Sequence, residues 1–158
     1  MEKNRLEAFS DGVIAIIITI MVLELREPEG PAFSDLRKLL PVGLAYLLSF
    51  VIVGIYWNNH HHLIKTCRRV TSDIMWANLH LLFWLSLLPF VTGWMGENHF
   101  APNTVAIYGG VMLISGIAFT ILQKIAEPHM HDSVELKRAF SYLRKKGIAS
   151  MIGYLIAI

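Results

Sequence analysis

Three stretches of this 158-residue chain, 39–64, 74–96 and 98–123, contain no Asp, Glu, Lys or Arg. Each exceeds the roughly 20 residues with which an α-helix crosses a bilayer. They follow one another in succession, an arrangement a small water-soluble core does not need. Two shorter uncharged runs, 12–23 and 147–158, stand before and after them. Only 16% of the residues are charged, against about a quarter in a soluble domain. The expected fold is all-α: a polytopic helix bundle forming one transmembrane domain over residues 1–158, with helices near 5–25, 36–62, 72–95, 102–124 and 147–158.

Charge placement orients the bundle. Eleven of the fourteen Lys and Arg residues lie before the first run, between the second and third, or between the fourth and fifth. Arg26, Arg37 and Lys38 are the exceptions, and no basic residue separates the third run from the fourth. The positive-inside rule therefore places the N-terminus in the cytoplasm. The net charge of +2 reflects this loop bias and gives no sign of nucleic-acid binding. A cleaved leader is disfavoured, because Glu2, Glu7 and Asp11 do not suit its basic start and no small-residue cleavage site precedes Glu24. Cys67 is the single cysteine, so no intrachain disulfide forms.

Punctuation along the chain is consistent with this division. Pro28, Gly30 and Pro31 make an outer turn. Ser34 or Asp35 can cap a lead-in to the second helix, and Pro41 sits where its missing N–H costs little. Thr71, Ser72 or Asp73 caps the third helix, and Pro89 should kink it near its outer end. Gly109, Gly110, Ser115 and Gly116 allow close helix approach in the fourth. A basic amphipathic stretch near 133–146 belongs to the cytoplasmic side. The last run stops after twelve residues at Ile158, too short to span, so a native chain of six helices is expected.

Polar residues far apart in sequence converge on the inner end. Ser10 and Asp11 lie at the cytoplasmic start of the first segment, Trp57, His60 and His61 end the second, and Asn78 and His80 begin the third. At 100° per residue, Phe9, Gly12, Val13, Ile16, Ile20, Leu23 and Glu27 share one stripe of the first helix, with Thr19 at its margin. Asp11 and Glu7 lie nearly opposite that stripe, one turn apart, and Asp11 faces the other helices, where His60, His61 or His80 can bond to it. A structural clasp is favoured over a proton relay for this acid. Three consecutive histidines point about 100° apart and do not converge on one ion, so no metal site is expected there. No nucleophile–base pair is apparent, and an enzyme is not expected.

Spacing of the Ile16–Ile20–Leu23 kind also suits an ordinary buried helix. The stripe differs in having no large aromatic after Phe9, in placing Thr19 at mid-membrane, and in ending near Glu24 and Glu27, where a ring of acids concentrates cations.

Arg5-x-x-x-Phe9-Ser10-Asp11 resembles the signature of the transmembrane protein 175 family, the lysosomal potassium channels and their prokaryotic relatives. Tyr56-Trp57-x-x-His60-His61 and the run from Asn78-Leu79 to Pro89-Phe90 are similar to that family's second and third helices. The resemblance implies a six-helix subunit, a homotetramer of single-unit prokaryotic chains, and a pore lined by the first helix. It implies that Ile16 and Leu23 narrow that pore, with Ile20 between them and Thr19 beside them.

A potassium-selective channel in a prokaryotic cell membrane is thus expected, its partners being potassium ions and the lipid bilayer. It needs no cofactor beyond the permeant ions. The Thr-Val-Gly-Tyr-Gly loop of common potassium filters is absent, so selection would rest on an aliphatic constriction. The alternative from another class is a proton- or cation-coupled secondary transporter using Asp11 and the inner-face histidines. A structural membrane subunit also fits the composition and is set aside by the resemblance alone.

Overall fold

The structure, a computed structural model, describes residues 2–130. The expected stretches 133–146 and 147–158 lie outside the described residues. Among the described residues, four segments are long and apolar enough to cross a membrane: Lys3–Leu23, Leu40–Thr66, Ser72–Glu97 and Pro102–His129.

Helix α1 (Lys3–Leu23) stops with Glu24 as its C-cap. Residue 27 precedes Pro28, and the proline ring disfavours helical backbone there. Glu27 is consequently an exposed loop residue and does not continue the helical stripe on which its spacing placed it. A short helix α2 (Phe33–Lys38) follows Ala32, with no side-chain cap from Ser34 or Asp35. Helix α3 (Leu40–Thr66) begins with Pro41 in its first turn. It runs through all three histidines and four residues beyond the expected end. Its C-terminus is closed by α1, since Lys3 Nζ donates to the carbonyls of Lys65 (2.7 Å) and Cys67 (3.3 Å). A cation on carbonyls left open at a helix end is favourable.

The third span is two helices, α4 (Ser72–Leu85) and α5 (Leu88–Glu97). Thr71 caps α4 by accepting from the N–H of Ile74. Pro89, in the first turn of α5, has no N–H to give the carbonyl four residues back, so the ladder breaks across Ser86–Leu87. The expected kink falls at this interruption, where the Leu87 N–H bonds three residues back to the Trp84 carbonyl at 3.2 Å. Helix α6 (Pro102–Ala126) ends in a 3-10 turn, Glu127–His129. The tight outer turn before α6 holds His99 and Phe100 at φ 54° and 58°, left-handed backbone that non-glycine residues rarely adopt.

Helix α1 packs on α3, α4 and α5, while α6 packs on α4 and α5. Its buried face is Leu6, Ser10, Ile14, Ile17 and Met21. A Cβ on Gly96 would stand 2.7 Å from Val42 Cα, so α5 and α3 touch backbone to backbone, as small residues permit in lipid. Both ends are tied. At the inner end the Arg68 N–H donates to the His129 carbonyl at 2.8 Å, and at the outer end Arg26 pairs with Glu97 at 3.0 Å. Ser49 joins α3 to Thr92 of α5 (2.7 Å) and to Tyr108 of α6 (3.0 Å). Isolated hydroxyls within apolar runs were the only sequence signal for that polar junction.

Candidate functional site

The inner-end polar residues form two groups. The first is fully buried: Ser10, Asn78 and His60 are each 0% exposed. Ser10 Oγ donates to the Leu6 carbonyl at 2.8 Å, so it must accept from Asn78 Nδ2 at 2.9 Å. Asn78 then presents Oδ1 to His60 Nε2, 2.6 Å away. A carbonyl oxygen only accepts, so this chain assigns a proton to His60 Nε2. His60 Nδ1 is buried without a hydrogen bond.

The second group is half-buried and sits beside the first, where α1 passes α3. Trp57 Nε1 donates to Asp11 Oδ1 at 2.9 Å. His61 Nδ1 lies 2.9 Å from Glu7 Oε1, and the His61 ring stacks on Trp57 with centroids 6.1 Å apart. The partner of Asp11 is thus the Trp57 indole, and none of the three expected histidines bonds to it. Glu7, one turn before Asp11, shares its face as the i, i+4 spacing predicts, but was not among the expected site residues.

His80 belongs to neither group. It accepts from Trp84 Nε1 at 3.0 Å on an exposed face of α4. Two residues from Asn78 is about 200° around a helix, so the two side chains cannot enter the same interface. Two other signature residues lie at the surface. Phe9 is half exposed, and exposed Arg5 makes no ion pair or side-chain hydrogen bond among the described residues. Cys67 is buried and donates to the Leu63 carbonyl. Burial pushes its thiol pKa up, which keeps it protonated.

Above this polar end the exposed face of α1 is apolar. Ile16 is 57% exposed, Ile20 43% and Leu23 76%, and Thr19 is exposed among them with its hydroxyl turned back to the Ile16 carbonyl at 2.9 Å. Ala8, Gly12 and Ala15 are exposed beside them. A groove of about 460 Å³ runs between this stripe and the α4–α5 break, bounded by Val13, Ile16, Ile20, Ser86, Pro89 and Phe90. Glu24 closes its outer end, its carboxylate resting over Gly93, where a Cβ would stand 2.8 Å from Oε2.

The family model described as "Endosomal/lysosomal potassium channel TMEM175" matches residues 5–89, which include both polar groups and the apolar stripe. A potassium channel of Chryseobacterium sp. (strain P1-3) is 54% identical over all 158 residues, which span 82% of that relative. The chain belongs to the TMEM175 family. Among solved structures, the lysosomal potassium-selective channel TMEM175 homolog from Chamaesiphon minutus superposes with a TM-score of 0.85 at 30% identity, covering 98% of this chain and 84% of that one. The endosomal/lysosomal proton channel TMEM175 of Bos taurus is 35% identical over 101 residues, which are 56% of this chain and 21% of that relative. These TMEM175 relatives are channels, not enzymes.

Proposed function

We propose that this TMEM175 protein is a potassium-selective channel of a prokaryotic cell membrane, a homotetramer whose pore is lined by α1. Ile16, Thr19, Ile20 and Leu23 form its constriction. The observation that carries this reading is the exposed stripe of α1, on a helix whose other face is buried in the subunit. Helix α3 supplies the contrast. Its exposed face is Leu44, Leu47, Leu48, Val51 and Ile55, uniformly large and suited to lipid. The α1 face mixes Ala8, Gly12, Ala15 and Thr19 with its aliphatics, and small residues favour close helix packing over lipid contact. Arg5 and Phe9, facing outward, are available to a neighbouring subunit.

A ring of aliphatic side chains offers an ion no ligands, so passage requires partial dehydration. Potassium, larger and more weakly hydrated, loses less than sodium, and the same ring can close by dewetting. Glu24 and Glu27 raise the cation concentration at the outer mouth. The permeant ion is the only ligand such a pore requires.

The test is Ile16→Asn in reconstituted bilayers under bi-ionic potassium/sodium conditions. Four amides at an axis would solvate either ion, so conductance should rise and selectivity fall with the oligomer intact. If Ile16 were ordinary packing, the change would bury an unpaired amide at about 1–3 kcal/mol. A collapsed size-exclusion profile with unchanged selectivity in the remainder would then refute the pore.

The broken third span favours a second reading, a proton- or cation-coupled carrier, because transporters expose backbone at discontinuous helices. Against it, Asp11 bonds to an indole N–H, which donates and cannot accept a proton. Uphill potassium accumulation driven by a proton gradient would select the carrier, whereas a channel only dissipates gradients.

A further inference from the structure

Glu7, Asp11 and His61 each bring one potential ligand atom within 4.8 Å of the others. Two of them are carboxylates stacked one turn apart on α1, and the third is an imidazole from α3. The His61 side chain is 32% exposed and that of Glu7 21%, so the cluster is shielded yet open to solvent. His61 Nδ1 stands 2.9 Å from Glu7 Oε1, but out of line for a hydrogen bond, and it is a buried nitrogen without a hydrogen-bond partner. Its orientation is fixed from behind by stacking on Trp57. The same Trp57 holds Asp11 by one oxygen, leaving the other free. A carboxylate steadied by a hydrogen bond from outside the ligand set is a usual feature of metal centres.

We propose that Glu7, Asp11 and His61 bind a divalent first-row transition metal, with Zn²⁺ the best fit, bridging α1 to α3. One nitrogen and two carboxylates suit Zn²⁺ and its neighbours in that series. Magnesium and calcium prefer sets made of oxygen alone. Ligands at about 2.0–2.2 Å in tetrahedral array stand roughly 3.4 Å apart, so the set closes around an ion by side-chain movement alone, with water as the fourth ligand. The unprotonated nitrogen of a neutral imidazole supplies the lone pair, and the ion's two charges neutralise the two carboxylates.

The site lies five residues before Ile16, about 7.5 Å along the helix at 1.5 Å per residue. An ion here would fix the inclination of α1 below its apolar stripe. That consequence for conduction rests on the channel reading, whereas binding does not.

The experiment uses untagged full-chain protein, stripped with a chelator and titrated with Co²⁺. Wild type should take up one Co²⁺ per chain with a visible ligand-field band. Zn²⁺ should displace it and raise the melting temperature of the oligomer, while excess Mg²⁺ or K⁺ should not displace it. Glu7→Gln and His61→Gln should each weaken binding ~10-fold or more. Asp11→Asn should do so while keeping an oxygen that accepts from Trp57 and therefore the fold. His62→Gln, outside the cluster, should bind as wild type does. Absence of the band, or wild-type affinity in Glu7→Gln and Asp11→Asn, overturns the site. Protein that binds Co²⁺ in this way but passes no potassium in liposomes supports the site and refutes the channel.

Discussion

The two halves of α1 solve opposite problems. Its inner half presents Glu7, Ser10 and Asp11 to α3 and α4, where Ser10 and Asp11 are hydrogen-bonded and Glu7 lies against His61. Its outer half leaves Ile16, Ile20 and Leu23 uncovered on the subunit surface. Buried polar groups in a membrane protein must be satisfied within the protein, so the inner half fixes where the helix stands. The outer half makes no such demand, and its side chains are left for whatever they face. Substitutions inside should therefore register in stability, and substitutions outside in conduction.

The largest stability effect is expected at the centre of the inner network. Asn78→Ala removes both the donor to Ser10 and the acceptor for His60, each 0% exposed, at roughly 1–3 kcal/mol for each group left unpaired. The protein should melt well below wild type in a fluorescence size-exclusion assay, with the ion preference of surviving channels unchanged. A shifted reversal potential at normal stability would break the division between the halves. Ser10→Ala should come next. It deprives Asn78 of one acceptor and should cost about 1–2 kcal/mol, read in the same melting assay.

Trp57→Phe sharpens the contrast within the inner half. The indole N–H to Asp11 lies on an exposed edge, so its loss should cost only about 1 kcal/mol, visible as a modest fall in melting temperature. The smallest stability change belongs to the outer half. Thr19→Val, at an exposed position whose hydroxyl bonds only to its own helix, should alter stability by no more than about 0.5 kcal/mol. The potassium/sodium permeability ratio should nonetheless move. A substantial loss of stability there would show that the outer half is also a packing surface.

Much of this was legible in the chain. Run lengths located the spans, and the 100° wheel separated the Ile16–Ile20–Leu23 stripe from Asp11. Side-chain pairing was less legible. Depth in the membrane grouped Asn78 with His80, but depth ignores azimuth, and the two point to different sides of α4. Asp11 was matched to histidines at its own depth, whereas its donor across the interface is the Trp57 indole. The wheel put Glu7 on the face of Asp11, but nothing in the sequence paired it with His61. The histidine triplet was judged as a set of three. Only one of its members meets α1 beside the acids, and sequence spacing within α3 holds no information about that encounter.

Gly93 illustrates how charge can be positioned by an uncharged residue. The Glu24 carboxylate occupies the volume that any side chain at position 93 would claim. An alanine methyl there would push the anion outward, into better-screened surroundings. The potential at the outer end is thus partly encoded by a hydrogen atom on α5, and a substitution that conserves every charge in the protein would still change the field an arriving cation meets.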